Sequence, residues 1–446
     1  MKKKKKNRNH IKKHVKQNKV NIPQSNNKLT NAQLLFGLNP RSLDIVDTLD
    51  ILRKNPPNIV IAKCLHDCSF KQNDSVIQKL EKKKNYVMNI SMFANLEYNK
   101  YHTTPDGKPR LNLKPAKKSF QDLYKPYRGQ ELNNKRLLVL RTGGIGDLLF
   151  IQPNLRYLKQ KYPSCKIIFA TGLQYHSMVE TWTDCIDVLT TLPFNESDFI
   201  SCQYHLTFEG VIERTREAHT TNAYELFSKW MGLNLDKNLL RPVQEPNDIV
   251  YSEVRQILKN NFKLDINKNN KLCAIQLRAS SPIRTPHPGQ LWVPIINFLI
   301  SQNYKIIITD NPAMHSQIEN IINTFFKEHR DKIFNFTKHS QSISYSIALA
   351  KIVDMVVGID SSLLHIAESV GTKNFGIYGP FPGSIRLSTY KYNDWIDCTA
   401  SCAPCFTHGH RPCIYGGNNG GCSPCYQHIN MSEFITKFKN LEIRNV

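Results

Sequence analysis

Between residues 136 and 378 the chain alternates two patterns. Short unbroken apolar runs are followed by stretches whose apolar residues recur every three or four positions. The first run, 137–140, is apolar throughout, which suits a parallel strand covered on both faces. After it, Leu148, Ile151, Leu155 and Leu158 follow at helical spacing. Pro153 interrupts that helix or marks a second start, because it has no N–H to donate to residue 149. Strands are expected at 165–170, 187–192 and 204–208, with helices at 177–181 and 223–233. The pattern then restarts. Strands are expected at 272–277, 304–309, 355–358 and 374–378, and helices at 291–301, 314–326, 343–350 and 361–370. Strands alternating with helices predict parallel sheets, and the restart predicts two α/β domains with a ligand in the cleft between them.

Upstream the pattern is weaker. Residues 34–52 are spaced as a helix that Pro56-Pro57 stops. Residues 59–62 suit a strand. Residues 99–134, rich in Lys, Pro, Asn and Tyr, suit an extended connection. The expected divisions are a basic disordered arm and unassigned extension at 1–134, a first domain at 135–245, a second at 246–390, and a cysteine-rich segment with a C-terminal helix at 391–446.

Composition narrows the partners. The 446 residues carry a net charge of +24 and are 40% hydrophobic. No apolar run approaches the length of a transmembrane helix, and the basic N-terminus has no apolar core of a secretory signal. A cytoplasmic location is expected. The first twenty residues hold nine lysines and one arginine with no acid. Such a block repels itself and stays disordered; it suits peripheral contact with an anionic membrane or with nucleic acid, although a solvated tail is the simpler expectation.

Two stretches carry candidate chemistry. In the first, the 137–140 strand runs into Gly143, Gly144 and Gly146, then Asp147 at the start of the helix. Glycines permit a sharp turn and a close backbone approach. The spacing is neither the dinucleotide fingerprint nor a phosphate-binding P-loop. It places Asp147 at the sheet edge where open α/β sheets bind ligands; a plain turn with an acidic first helical residue would look the same. In the second stretch a strand ends at Asp360, Ser361 or Ser362 is placed to cap the following helix, and His365 lies one turn in. That helix start suits an anion such as a diphosphate. The loop 278–287 contributes Ser280, Ser281 and Arg284 as hydroxyl and guanidinium donors for the same phosphates.

These motifs resemble glycosyltransferase family 9, the heptosyltransferases of lipopolysaccharide core synthesis. The family's first strand runs into a Gly/Ser loop ending Gly-Asp and a helix with an internal proline, matched here by Gly146-Asp147 and Pro153. Its second hallmark is matched by Asp360-Ser361-Ser362, His365, Gly371 and Tyr378-Gly379-Pro380. Ser362 stands where the family usually has glycine, and the first domain is shorter than is usual. The resemblance, spanning roughly residues 135–430, implies a GT-B fold of two Rossmann-like domains facing a cleft. It implies inverting transfer without a catalytic metal or other cofactor, from a nucleotide-diphospho-sugar such as ADP-heptose or a related donor to a saccharide or lipid-linked acceptor. Asp147 would be the general base, and the Asp360–His365 region the donor site.

Cys402, Cys405, Cys422 and Cys425 form two Cys-x-x-Cys pairs sixteen residues apart, which suits a structural zinc site, with Cys398, Cys413, His408 and His410 as substitutes. Cys64, His66 and Cys68 lack a fourth ligand and suit ordinary thiols better. The rival functional class is a nucleic-acid-binding protein that uses the basic arm and a zinc ribbon on a degenerate sugar-nucleotide domain. Asp147 beside a cleft discriminates against it, because a pure binder has no use for a base there.

Overall fold

The computed structural model describes residues 59–72, 75–266, 271–407, 413–416 and 422–444. The expected 34–52 helix and the basic arm lie outside them. The first parallel sheet has the order Val188–Thr190, Lys166–Ala170, Arg136–Leu140, Tyr204–Thr207. The second has six parallel strands, in the order Ile333–Asn335, Tyr304–Ile308, Lys271–Gln276, Met355–Ile359, Lys373–Tyr378, Asn393–Asp397. The two sheets and their helices form the paired parallel α/β architecture that the periodicity predicts. The sixth strand lies beyond residue 390, and the helix Met431–Ile443 buries Phe434, Phe438 and Leu441 against Phe375. The chain after 390 is therefore part of the second domain's core and no separate layer.

The strand expected at 59–62 is present as Ile59–Cys64, but the sheet that it belongs to was not marked in the sequence. Ile59–Cys64 pairs antiparallel with Asn85–Asn89 and with Leu113–Pro115. Tyr98–Thr103 and Pro109–Leu111 also pair, so the expected extended connection contains strands. Phe194–Asn195 leaves the first domain to add an edge strand on Asn85–Asn89. This sheet lies over one face of the first parallel sheet. Side chains of a strand point alternately to its two faces, and the burial follows that rule. Leu137 and Val139 pack among the helices, whereas Leu138 and Leu140 pack with Ile59, Ile61, Val87 and Phe120. The extension thus covers a face that helices cover in an ordinary parallel α/β sheet.

The helix Ile145–Lys161 continues through Pro153 without a break, so the expected interruption is absent. Its Gln152 side chain grips the backbone of Val243 in both directions, donating to the carbonyl at 2.5 Å and accepting from the N–H at 2.8 Å. The next residue, Gln244, accepts from the Trp182 indole at 2.7 Å and donates its backbone N–H to Ser369 at 2.8 Å. The interdomain linker is therefore held by both domains. One apolar cluster, including Leu148, Phe150, Tyr224, Leu363, Ile366 and Tyr390, crosses between them.

Ile61 tests the covering sheet. Ile61→Ala should lower the unfolding free energy in urea by about 2–5 kcal/mol, as large-to-small core changes do, whereas Lys63→Ala on the same strand should change it little. An Ile61→Ala effect no larger than that of Lys63→Ala would show that this sheet is not a load on the core.

Candidate active site

The strand Arg136–Leu140 delivers Arg141 to the sheet edge and leads into the glycine loop. Gly144 sits at φ 84°, and the Asp147 carboxylate occupies the place where a Cβ would stand. Gly146 is needed for a different reason: its missing Cβ would lie 2.9 Å from the His365 ring. The glycines of the loop admit an acid from the same domain and a histidine from the other.

Arg141 is buried, and its donors are well occupied. Nε donates to Gly143 O at 2.8 Å, and Nη1 to Phe208 O at 3.0 Å. Nη2 serves both Asp147 and Glu213, the latter at 2.7 Å. Glu209 Oε2 lies 3.9 Å from Nη1, while its Oε1 accepts from the N–H and hydroxyl of Thr142 at 2.6 and 2.8 Å. Three carboxylates therefore surround one cation. Burial raises the pKa of Asp147 above the usual carboxylate range; Arg141 opposes the rise and Glu213 adds to it.

Across the cleft, Asp360 is buried between two arginines. Arg284 Nη1 reaches its backbone oxygen at 3.1 Å and its carboxylate at 3.4 Å, and Arg386 Nε lies 3.7 Å from the other carboxylate oxygen. Burial penalises the Asp360 charge, but Arg284, Arg386 and His365 outweigh that penalty and hold its pKa below the usual value. Arg386 also lies over the Phe381 ring, 4.8 Å from its centroid. Arg284 Nη2 is 3.4 Å from Ser280 Oγ, and Ser281 is buried beside them.

The helix Ser362–Ser369 opens at this point. Ser361 occupies its N-cap position with extended backbone, but its side chain makes no cap hydrogen bond. The buried Ser361 hydroxyl has no hydrogen-bond partner, so the expected cap is absent and the oxygen is left at the cavity wall. His365 Nδ1 pairs with the Tyr390 hydroxyl at 2.5 Å, which in turn meets Tyr224 of the first domain at 3.0 Å. Its ring stands edge-on to Phe150, also of the first domain.

Arg141, Glu209, Glu213 and Arg386 line one cavity of about 570 Å³ between the domains. It collects Gly143, Gly144, Gly146 and Asp147 from the first glycine stretch, and Ser280, Ser281, Arg284, Asp360, Ser361, Ser362 and His365 from the second domain. Every expected catalytic and donor residue is brought together. The sequence reading missed Arg141, Glu209, Glu213 and Arg386. The two glutamates follow the C-terminal end of a strand, as Asp147 does, which was the available signal; Arg386 carried none. The cysteines behave differently. Cys398 and Cys425 are buried, the latter 3.0 Å from Ser423 Oγ, and Cys405 is exposed. Among the described residues no group of three His, Cys, Asp or Glu side chains is gathered as a metal site; His408 and His410, two of the expected substitute ligands, lie outside the described residues. The segment buttresses the 278–287 loop, through Ser423 N to Thr285 O at 3.0 Å and the Tyr426 hydroxyl to Arg284 O at 3.4 Å.

The model of glycosyltransferase family 9 (heptosyltransferase) matches residues 212–414, which include the Arg284, Asp360 and His365 group. The match begins after the glycine loop, so Asp147 rests on geometry. Among solved structures, the chain is similar to a family 9 glycosyltransferase from Veillonella parvula DSM 2008, with a TM-score of 0.54 and 13% identity over 71% of this chain and 99% of that one. It is also similar to the ADP-heptose lipopolysaccharide heptosyltransferase II of E. coli, with a TM-score of 0.50 and 13% identity over 69% and 98%. At such identities the likeness shows the fold, two parallel α/β domains of GT-B type. Comparison with curated protein sequences found no match. No helix among the described residues is long and apolar enough to cross a membrane.

Burial lowers the pKa of His365 from its ordinary 6.5 to about 4, and Arg386 and Arg284 push the same way against Asp360. Burial also brings His205 to about 4. As pH falls, the unfolded chain takes these protons first. Stability is thus intact above about 6.5 and is lost as pH falls toward 4. Urea unfolding from pH 7.5 to 4.5 should show that loss, with the His365 ring resonances unchanged between pH 8 and 5. A His365 titration midpoint near 6.5 would contradict the buried, neutral imidazole.

Proposed function

We propose that the chain transfers a sugar, with inversion and without a catalytic metal, from a nucleotide-diphospho-sugar to a hydroxyl of a saccharide or lipid-linked acceptor. The observation that carries this reading is the cavity, with a carboxylate on one wall and, opposite it, a helix start flanked by two arginines. The donor diphosphate lies at the start of Ser362–Ser369. Its charges meet backbone N–H groups, the unpartnered Ser361 hydroxyl, and Arg284 and Arg386. The donor class follows from the family match, and ADP-heptose is the first candidate because the E. coli enzyme of similar fold is an ADP-heptose transferase.

Asp147 takes the proton of the acceptor hydroxyl as that oxygen attacks the anomeric carbon. One of its oxygens is held by Arg141, which fixes the orientation of the carboxylate. The bond to the diphosphate breaks with its electron pair going to the leaving oxygen. Arg284, Arg386 and the helix start stabilise the charge that develops there, an electrostatic role that needs no metal. The nucleic-acid-binding alternative is not favoured, since it gives no use to a cavity that brings these groups together. Peripheral contact of the basic arm with an anionic membrane is compatible with this reading and plays no part in the chemistry.

Asp147→Asn keeps the shape and removes the proton acceptor. Transfer should fall by about 10²–10⁴, the usual contribution of a general base, while calorimetric affinity for ADP stays near wild type. Transfer within a few-fold of wild type would remove Asp147 as the base. In the same titration Ser361→Ala should weaken ADP binding by about 0.5–1.5 kcal/mol, the net worth of one hydrogen bond. Unchanged affinity would place the diphosphate away from that hydroxyl.

A further inference from the structure

A base beside an arginine is a problem that this site has to solve. An ion pair with a guanidinium favours the charged carboxylate, and so weakens it as a proton acceptor. Once the proton has moved, the arginine also loses its partner, and a buried unpaired cation is costly. Both difficulties ease if a second carboxylate shares the same guanidinium nitrogen, and Glu213 does so: Arg141 Nη2 pairs with Asp147 and with Glu213 Oε1. The third acid, Glu209, is committed to the backbone and hydroxyl of Thr142 and lies at 3.9 Å.

We propose that Glu213 is a positioning residue for the transfer reaction: by sharing Arg141 with Asp147 it keeps Asp147 basic and keeps the guanidinium paired after the proton arrives. This rests on the reading of Asp147 as the base. Before transfer, Arg141 faces Asp147, Glu209 and Glu213, a group with net charge of about −2 by formal counting; afterwards Asp147 is neutral and the group is about −1. The proton comes from the acceptor hydroxyl, whose oxygen forms the new glycosidic bond, and the diphosphate leaves with the electron pair of the broken bond. Glu213 gains and loses no proton. The other charged or titratable groups facing this cavity are Tyr175 from the first domain and Arg284, Asp360, His365 and Arg386 from the second. Of these, Arg386 lowers the proton affinity of Asp147, so Glu213 opposes it as well.

The test reads Asp147 directly. In full-length protein labelled with ¹³C at aspartate carboxyls, the Asp147 resonance is the one that Asp147→Asn removes. Glu213→Gln should lower the proton affinity of that carboxyl by roughly tenfold or more, as loss of a nearby like charge does. Glu213→Asp should restore most of it, and serves if the glutamine variant folds poorly. With ADP-heptose as the probe and water standing in for the acceptor, the acid limb of ADP release should move to lower pH in Glu213→Gln while the plateau falls several-fold. A role in folding alone would lower the plateau without moving the limb or the titration. An Asp147 titration unchanged in both Glu213 variants overturns the proposal while leaving the base assignment intact. Abolished release in Glu213→Gln with near-normal release in Asp147→Asn would make Glu213 the base and overturn both.

Discussion

The site depends on one close approach. The start of the helix Ile145–Lys161 meets the helix Ser362–Ser369, with Gly146 against His365 and Phe150 edge-on to the same ring. A side chain at residue 146 would force the two apart. Because the helices touch there, a carboxylate at the end of one sheet faces a helix start at the end of the other. The linker residues Val243 and Gln244, gripped by Gln152, Trp182 and Ser369, hold that arrangement. The Tyr224–Tyr390–His365 chain of hydrogen bonds spans the same boundary, and burial keeps the imidazole neutral.

The two walls of the cleft differ in charge. On the first-domain wall, one buried arginine is surrounded by Asp147, Glu209 and Glu213. On the second-domain wall, two arginines share one buried aspartate. In the proposed reaction, negative charge therefore collects where the proton would be removed, and positive charge where the diphosphate would depart. The same asymmetry favours a donor held by its phosphates and an acceptor presented by an uncharged hydroxyl.

Much of this was legible in the sequence because parallel α/β domains write their elements as buried runs and helical periods. Asp147, Arg284, Asp360 and His365 follow strand ends, and that position, with the glycine loop, the helix start and the family resemblance, marked them. The N-terminal sheet was illegible for a physical reason. Its strands are short, several are three to six residues long, and its edge is completed by Phe194–Asn195 from far along the chain. No local period records such a pairing. Arg386 was hidden for a similar reason: it sits on a four-residue helix and reaches Asp360 only through the tertiary fold. The cysteine pairs suggested a metal quartet by spacing; what no spacing records is that their segment supports the Arg284 loop, through Ser423 and Tyr426.

A crystal structure of the full-length protein with an intact ADP-heptose analogue tests this account most directly. The diphosphate is expected at the start of Ser362–Ser369, within hydrogen-bond reach of Ser361, Arg284 and Arg386, with the anomeric carbon facing Asp147 across the cavity. A diphosphate bound elsewhere, or a sugar turned away from Asp147, would contradict it.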